Sequence, residues 1–203
     1  MLSQSCEPYG RNIQRYAPLP LYIALFFLLV CVNALVAKFV VFTFEIAPGV
    51  SLFYIVVASM IIFTLWFGLW GAGAAYIGCF IGAGLLSGIP WDISLYWSIA
   101  DLIQVLIPLL AFRYTRADIG LADIRDIGIL ILSGVLINNL AGAAWGTLTL
   151  VWSGMIFPEE IIPTFTRWLI GNIIVCMILL PPILRIITPV IRNHELFVIG
   201  LWR

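Results

Sequence analysis

Long apolar runs separated by short polar connections dominate the pattern of residues along the chain. A membrane-spanning helix needs roughly 20 mostly apolar residues, because the hydrocarbon core of a bilayer is about 30 Å thick. Six segments meet this requirement: residues 20–43, 50–67, 71–88, 94–112, 127–152 and 165–187. These runs lack the two-residue alternation of a membrane barrel strand. The pattern therefore predicts an all-α fold, a polytopic bundle of six transmembrane helices.

Composition supports a membrane location. Of the 203 residues, 63% are hydrophobic and 10% are charged, and the mean hydropathy is +1.13. We expect a multi-pass protein of the cell (plasma) membrane, with the lipid bilayer as its surroundings. The net charge is zero and the basic residues are spread thinly, which argues against nucleic acid as a partner.

The arginines fall on one side of the predicted bundle. Short cytoplasmic loops collect Lys and Arg, and eight arginines share that side: Arg11, Arg15, Arg113, Arg116, Arg125, Arg185, Arg192 and Arg203. The opposite loops contain four acids and no Lys or Arg: Glu45, Asp92, Glu159 and Glu160. Both termini are therefore predicted to be cytoplasmic. We divide the chain into an N-terminal segment (1–19), a membrane domain (20–187) and a short tail (188–203).

The connection between the second and third spans is the shortest. It requires a turn within Gly68-Leu-Trp-Gly71, and without that turn five spans would remain. Ala74, Gly78 and Gly82 follow at four-residue spacing, an arrangement that lets helices approach closely. Several tryptophans near span ends, including Trp97 and Trp168, match the aromatic belts of membrane interfaces.

Three ionisable residues lie inside the spans: Lys38, Asp101 and Arg167. Such groups cost several kcal/mol in hydrocarbon unless they face a partner or water, so each is a functional candidate. The predicted topology places all three in the outer halves of their helices. The structural alternative is that Lys38 and Arg167 reach the interface and that Asp101 pairs with one of them.

Amide side chains lie somewhat deeper in the same helices: Asn33, Gln104, Asn138, Asn139 and Asn172. Together these groups indicate an outward-facing polar pocket between the first, fourth, fifth and sixth spans. The predicted ligand-binding residues are Lys38, Asp101, Asn139, Arg167 and Asn172. The net positive charge of that set favours a small anionic or zwitterionic ligand. The amides could instead be bonds between helices.

Neither catalysis nor a metal site finds support in the sequence. No Ser/His/Asp or Cys/His set and no HExxH motif occurs, and His194 is the single histidine. The cysteines Cys6, Cys31, Cys79 and Cys176 form no metal-ligand spacing. We expect no enzyme activity, no cofactor and no metal.

The last span carries an aromatic residue, then Gly and Asn, then a proline ten residues after the glycine: Trp168, Gly171, Asn172 and Pro181. With Arg125-Asp126-Ile127, the spacing of Gly146 and Gly154, and Pro48-Gly49 after the first span, this order resembles the MASE1 domain. MASE1 is a membrane-associated sensor module that prokaryotic signalling proteins carry ahead of kinase, cyclase or phosphodiesterase outputs. The resemblance covers residues 20–190, but the tryptophan and double proline usual near Pro48 are missing.

The resemblance implies a sensor-like module that binds a small extracytoplasmic ligand. Pro181 and Pro182 are the expected kink through which the sixth helix would transmit motion. Only residues 188–203 follow that span, so we expect a separate or missing output domain, a cytoplasmic signalling partner, or a fragment of a longer signalling protein.

Two alternatives remain open at this point. Six short spans with a glycine-rich third helix are also similar to the substrate-binding S components of energy-coupling-factor vitamin transporters. Such a protein would need a coupling partner, but the alanine-x-x-x-tryptophan docking element of the first helix is absent. The further alternative is a purely structural membrane subunit.

Overall fold

The structure, a computed structural model, describes residues 17–202, without the side chains of residues 41–44. The predicted N-terminal segment therefore lies almost wholly outside the described residues, and so do Arg11, Arg15 and Arg203.

Helices form almost all of the described chain. The elements are α1 (Leu19–Phe44), β1 (Glu45–Ala47), β2 (Val50–Ser51), α2 (Val56–Phe67), α3 (Leu69–Cys79), α4 (Trp91–Trp97), α5 (Ile99–Thr115), α6 (Ile124–Ile129), α7 (Asn138–Trp152) and α8 (Ile161–Ile191). Two π-helical segments, Phe80–Gly84 and Leu130–Ile137, continue α3 and α6, and short 3-10 turns lie at Leu85–Ser87 and Pro158–Glu160. The helical prediction is confirmed.

Five continuous helical stretches are long and apolar enough to cross a membrane: Leu19–Val40, Leu69–Ser87, Trp91–Thr115, Ile124–Trp152 and Pro158–Ile191. These correspond to the first, third, fourth, fifth and sixth predicted spans. The predicted span 50–67 is different, because only α2 (Val56–Phe67) is helical there. At 1.5 Å per residue α2 is about 18 Å long, which is too short to cross a bilayer alone.

A β-hairpin replaces the start of that predicted span. β1 and β2 pair antiparallel, with Glu45 opposite Ser51 and Ala47 opposite Val50. The two-residue turn between them is Pro48-Gly49, and Gly49 has a φ of 72° that favours glycine. The Gly49 N–H also donates to the Glu45 carboxylate at 3.2 Å. The local turn chemistry therefore ends the helical pattern.

The turn between α2 and α3 consists of a single residue, Gly68. Gly68 has a φ of 61°, and the next N–H, that of Leu69, donates to the Leu201 carbonyl at 2.7 Å. A Cβ at Gly68 would collide with that same carbonyl. The sharp turn predicted at this place is confirmed.

Gly68→Ala is expected to lower the free energy of unfolding by about 1–3 kcal/mol, because the added methyl is strained at this φ and meets the Leu201 backbone. Gly128→Ala is the matched control, since a Cβ there meets nothing within 4 Å and alanine favours a helix. Thermal unfolding in detergent compares the two variants. Equal melting temperatures would contradict the role assigned to Gly68.

The C-terminal tail, residues 192–202, packs across several helix ends. The Arg113 Nη2 donates to the Val198 carbonyl at 2.6 Å, and the Val198 N–H donates to the Trp66 carbonyl at 2.9 Å. The Tyr22 hydroxyl donates to the Glu195 carbonyl at 3.2 Å. The start of α1, the α2–α3 turn and the end of α5 thus meet at one end of the bundle, which we call the tail end. The opposite end, where β1 and β2 lie, is the hairpin end.

The loop after α5 also lies at the tail end. Arg192 forms an ion pair with Asp118, and its hydrogen bond holds the pKa of the Asp118 carboxyl below its ordinary value. Asp126 instead accepts the N–H groups of Asp118 and Asp123, each at 3.1 Å. Asp118 is thus paired with an arginine, while Asp126 caps a helix.

Small residues allow close packing of α3 against α1. A Cβ on Gly78 would lie 2.5 Å from the Asn33 Cβ, and one on Gly82 would meet the Ala34 carbonyl. The glycine spacing on the third span thus marks a real helix contact.

Candidate functional site

The segment that follows α1 enters the bundle from the hairpin end. Val50, Ser51 and Tyr54 are all less than 5% exposed. Two glycines allow its close packing: a Cβ at Gly49 in the segment would lie 2.6 Å from Ile89 Cδ1, and a Cβ at Gly171 of α8 would collide with the Leu52 carbonyl. Non-helical backbone at membrane depth is tolerated only where protein buries it or where it lines a cavity. This segment meets both conditions.

A cavity of about 10 Å³ lies under the hairpin. Its lining residues are Gly49, Val50, Ser51, Tyr54, Trp97, Asp101 and Trp168. The rings of Trp97 and Trp168 lie 5.9 Å apart between centroids and form one wall. A space of this size is close to the minimum that one water molecule requires.

Four polar atoms are buried around this cavity: Ser51 Oγ, the Tyr54 hydroxyl, Trp97 Nε1 and Asp101 Oδ1. None of them has a nitrogen or oxygen hydrogen-bond partner among residues 17–202, although the Cys79 thiol lies beside the Tyr54 hydroxyl. Buried polar groups in proteins are nearly always satisfied by protein, water or a ligand. Four such atoms around one small space therefore point to a polar occupant.

Asp101 is the single charged residue in the cavity wall. It lies in the first turn of α5, just after Ser98 separates α4 from α5, and it is 2% exposed. The Cys79 thiol of α3 faces its carboxylate. Within the described part of the chain the one ion pair is Asp118–Arg192 at the tail end, so no cation is paired with Asp101.

Tyr54 lies between β2 and α2, with its hydroxyl close to the Cys79 thiol. A phenol loses its proton only near pH 10 in water, and charging it beside a carboxylate in an enclosed site would be more costly still. The phenol therefore keeps its proton and can act as a donor toward the cavity.

The structure does not bring Lys38 or Arg167 to this cavity. Arg167 is exposed, and Lys38 is half-buried on α1. Thr164, Trp168 and Gly171 mark the buried stripe of α8; Arg167, directly before Trp168, points away from it. The predicted net positive pocket does not form among these residues, because the helical period separates the arginine from the buried stripe.

The predicted amides lie below Asp101 toward the tail end. Gln104 Nε2 donates to Asn139 Oδ1 at 2.8 Å, and Asn139 Nδ2 donates to the Val135 carbonyl at 2.8 Å and to Cys176 Sγ at 3.5 Å. This cluster joins α5, α7 and α8. Asn139 is thus held by neighbouring helices, as the structural alternative anticipated.

Asn172 lies one helical turn below Trp168, since a turn contains 3.6 residues. Its side chain is fully buried, and neither its oxygen nor its nitrogen has a hydrogen-bond partner within the described residues. Of the five predicted site residues, only Asp101 lines the cavity. Asn172 lies about one helical turn below the cavity, and Asn139 lies in the amide cluster still closer to the tail end. Lys38 and Arg167 do not line the cavity.

Pro181 and Pro182 lie inside α8, which remains one helix from Ile161 to Ile191. A proline lacks the N–H that would bond four residues back, so the carbonyls of Met177 and Ile178 lose their helical partners. The tail end of α8 is therefore less tightly bonded than its start.

Sequence reasoning missed Ser51 and Tyr54, and it assigned Trp97 and Trp168 to the membrane interface. Both tryptophans are 3% exposed or less. The signal that could have revealed the site is Pro48-Gly49, a turn dipeptide inside an otherwise apolar run.

The arrangement can hold a small polar or positively charged species against a carboxylate. No group of three or more His, Cys, Asp or Glu residues able to hold a metal ion occurs in the part of the chain that the structure describes. Comparisons with known protein families, with characterised proteins and with solved structures found no match.

Proposed function

We propose that this chain is a six-crossing, sensor-like membrane module of a prokaryotic plasma membrane. Its site beneath the hairpin binds a small ligand from the extracytoplasmic side, and α8 passes the change to a signalling output. This is the function that the MASE1 resemblance implies. The hairpin geometry supports it.

The six-crossing topology rests on the ends of the bundle. The start of α1 and the tail after α8 share the tail end, joined by Tyr22 and Glu195, which supports an even number of crossings. The hairpin segment and α2 together make the second crossing. Arg116 and Arg192 lie at the tail end, and Asp92 and Glu159 lie at the hairpin end, and this distribution supports a cytoplasmic tail end by the positive-inside rule.

One observation carries the proposed function: the same hairpin segment lines the Asp101 cavity and rests on α8. Ser51 and Tyr54 face the cavity, while the Leu52 carbonyl between them packs on Gly171. A change in the cavity therefore changes a contact on α8. That helix is about 46 Å long at 1.5 Å per residue, and it ends where the tail begins.

The cavity also restricts the ligand. Its carboxylate has no cationic partner, so an anion would be repelled, and the ligand class shifts from anionic or zwitterionic toward neutral polar or cationic. A space of about 10 Å³ is far below the ~300 Å³ at which small-molecule sites begin. A vitamin-sized substrate does not fit this cavity, which favours the sensor over a transporter subunit that binds its substrate here.

The coupling between hairpin and tail can be tested with Gly171→Ala. The added methyl collides with the Leu52 carbonyl, so the hairpin segment must move relative to α8. His194 is the single histidine in the chain, and it lies exposed in the tail. In protein labelled at histidine and prepared without a histidine tag, we expect the one imidazole NMR signal to shift.

Ile170→Ala is the matched control, because the neighbouring Ile170 is exposed on the outer face of α8. It should leave the His194 signal in place. An unchanged signal in Gly171→Ala, together with faster hydrogen exchange of residues 45–55, would show that the hairpin moves without the tail. That outcome would overturn the sensor proposal and leave a structural subunit.

A further inference from the structure

We propose that the ligand of the cavity beneath the hairpin is the proton, bound by the Asp101 carboxylate, so that the module responds to extracytoplasmic pH. This inference rests on the proposed function and names the ligand of the same site. In the protonation step one proton from water at the hairpin end adds to a carboxylate oxygen, and the charge of the site changes from −1 to zero.

Size and charge support this choice. The cavity accommodates no more than a water-sized species, and its one charged group is a carboxylate without a paired cation. A carboxylate enclosed without a counterion is unfavourable, and a bound proton removes the charge without occupying space. Ser51 Oγ, the Tyr54 hydroxyl and Trp97 Nε1, which have no nitrogen or oxygen partner among the described residues, are suited to orient one water beside the protonated acid.

The donor set favours a proton over a metal cation. Hard cations such as Mg²⁺ and Ca²⁺ take about six to eight oxygen ligands. Among its side chains the wall offers the carboxylate, one serine hydroxyl and one phenol as oxygen ligands. No second carboxylate lines the cavity, so the side chains supply fewer oxygen ligands than a divalent ion takes.

Few other titratable groups face Asp101. From α3 it is faced by the Cys79 thiol, and from the segment before α2 by the Tyr54 phenol. Trp168 is the cavity residue that α8 contributes, and Ser51 is the polar one from β2. Thiols and phenols are weaker acids than a carboxyl, so Asp101 is the group whose charge changes first when the site meets external water.

The hairpin segment is the part of the site that changes conformation when Asp101 gains or loses its proton. With the carboxyl neutral, Ser51 and Tyr54 close over it. When the carboxyl ionises, the anion gains from contact with water, and water reaches it most directly where the hairpin segment lifts from Gly171. Low external pH therefore stabilises the closed hairpin, and high pH favours the open one.

Infrared difference spectroscopy of the full chain in lipid nanodiscs tests the assignment. Between about pH 9 and about pH 6 ordinary Asp and Glu side chains stay ionised, so the difference spectrum should contain one carboxylic-acid C=O band. Asp101→Asn should lose this band, and Asp92→Asn, which removes an exposed acid at the same end, should keep it. Asp101→Glu should shift its frequency, which serves as the check if the asparagine variant folds poorly.

Each remaining outcome counts against the assignment. No band in the wild type, or a band that persists in Asp101→Asn, overturns proton binding. Weakening of the band when sodium chloride replaces choline chloride shows that a metal cation competes for the carboxylate, which also overturns it. The His194 signal of Gly171→Ala does not depend on this band, so loss of the proton assignment and loss of the sensor function are separate results.

Discussion

Replacing Trp168 with alanine is expected to lower the free energy of unfolding by about 3–5 kcal/mol. The Trp168 ring is buried, packs beside Trp97 at 5.9 Å between ring centroids, and occupies the space that a side chain at Gly146 would need. Its removal leaves a void between α7 and α8 that the backbone cannot fill. Unfolding of the reconstituted protein in a denaturing detergent measures the loss.

Trp152→Ala is the matched control, since Trp152 is 74% exposed and should change stability little. A second variant identifies the cause. Gly146→Leu alone should destabilise the protein, because its side chain collides with the Trp168 ring, whereas Trp168→Ala with Gly146→Leu should recover part of the loss. Strictly additive effects would contradict the packing of Trp168 on Gly146.

Replacing Asp101 with asparagine is expected to remove a pH dependence of stability. In the wild type, ionisation of a carboxyl that is enclosed without a cation is unfavourable, whereas in the unfolded chain the carboxylate contacts water. Stability should then fall as the pH rises from about 6 toward about 9. The asparagine amide stays neutral throughout. The free energy of unfolding of the variant should therefore rise relative to that of the wild type as the pH increases over this range. The gain should be about 1–4 kcal/mol, because one proton changes the free energy of unfolding by at most about 1.4 kcal/mol per pH unit.

Thermal unfolding followed by circular dichroism at both pH values measures this difference. Arg167→Gln is the control for the sequence-based site, because Arg167 is exposed and does not line the cavity. It should retain the pH dependence of the wild type. If Arg167→Gln abolished the pH dependence of stability and Asp101→Asn retained it, Arg167 and not Asp101 would be responsible for that dependence. This result would contradict the account.

Much of the helical architecture could be predicted from hydrophobic runs. Helix-forming segments at residues 20–43, 71–88, 94–112, 127–152 and 165–187 correspond to the five long helices, because apolar length is the constraint that a bilayer imposes. The hairpin was not predicted, since Val50 to Phe67 is as apolar as a span. There the turn at Pro48-Gly49 outweighs the hydropathy of the residues that follow.

The kinds of residue that are buried inside the spans could be predicted, but the direction in which each side chain points could not. Asp101 and Asn172 are buried, as ionisable and amide groups inside spans should be. Arg167 is in the same helix as Trp168 and Asn172, yet one position of offset turns it outward. The partners Ser51 and Tyr54 come from a segment far from Asp101 in sequence, and only tertiary packing brings them together.

Coupling of the Asp101 cavity to the tail through the hairpin is tested most directly by hydrogen exchange with mass spectrometry. Measurements in nanodiscs at about pH 6 and about pH 9, corrected for intrinsic rates, follow both regions at once. We predict that residues 45–55 and residues 192–202 lose protection together at the higher pH in the wild type, and that Asp101→Asn keeps both protected. Equal protection at the two pH values in the wild type, or a wild-type response in Asp101→Asn, would contradict this coupling.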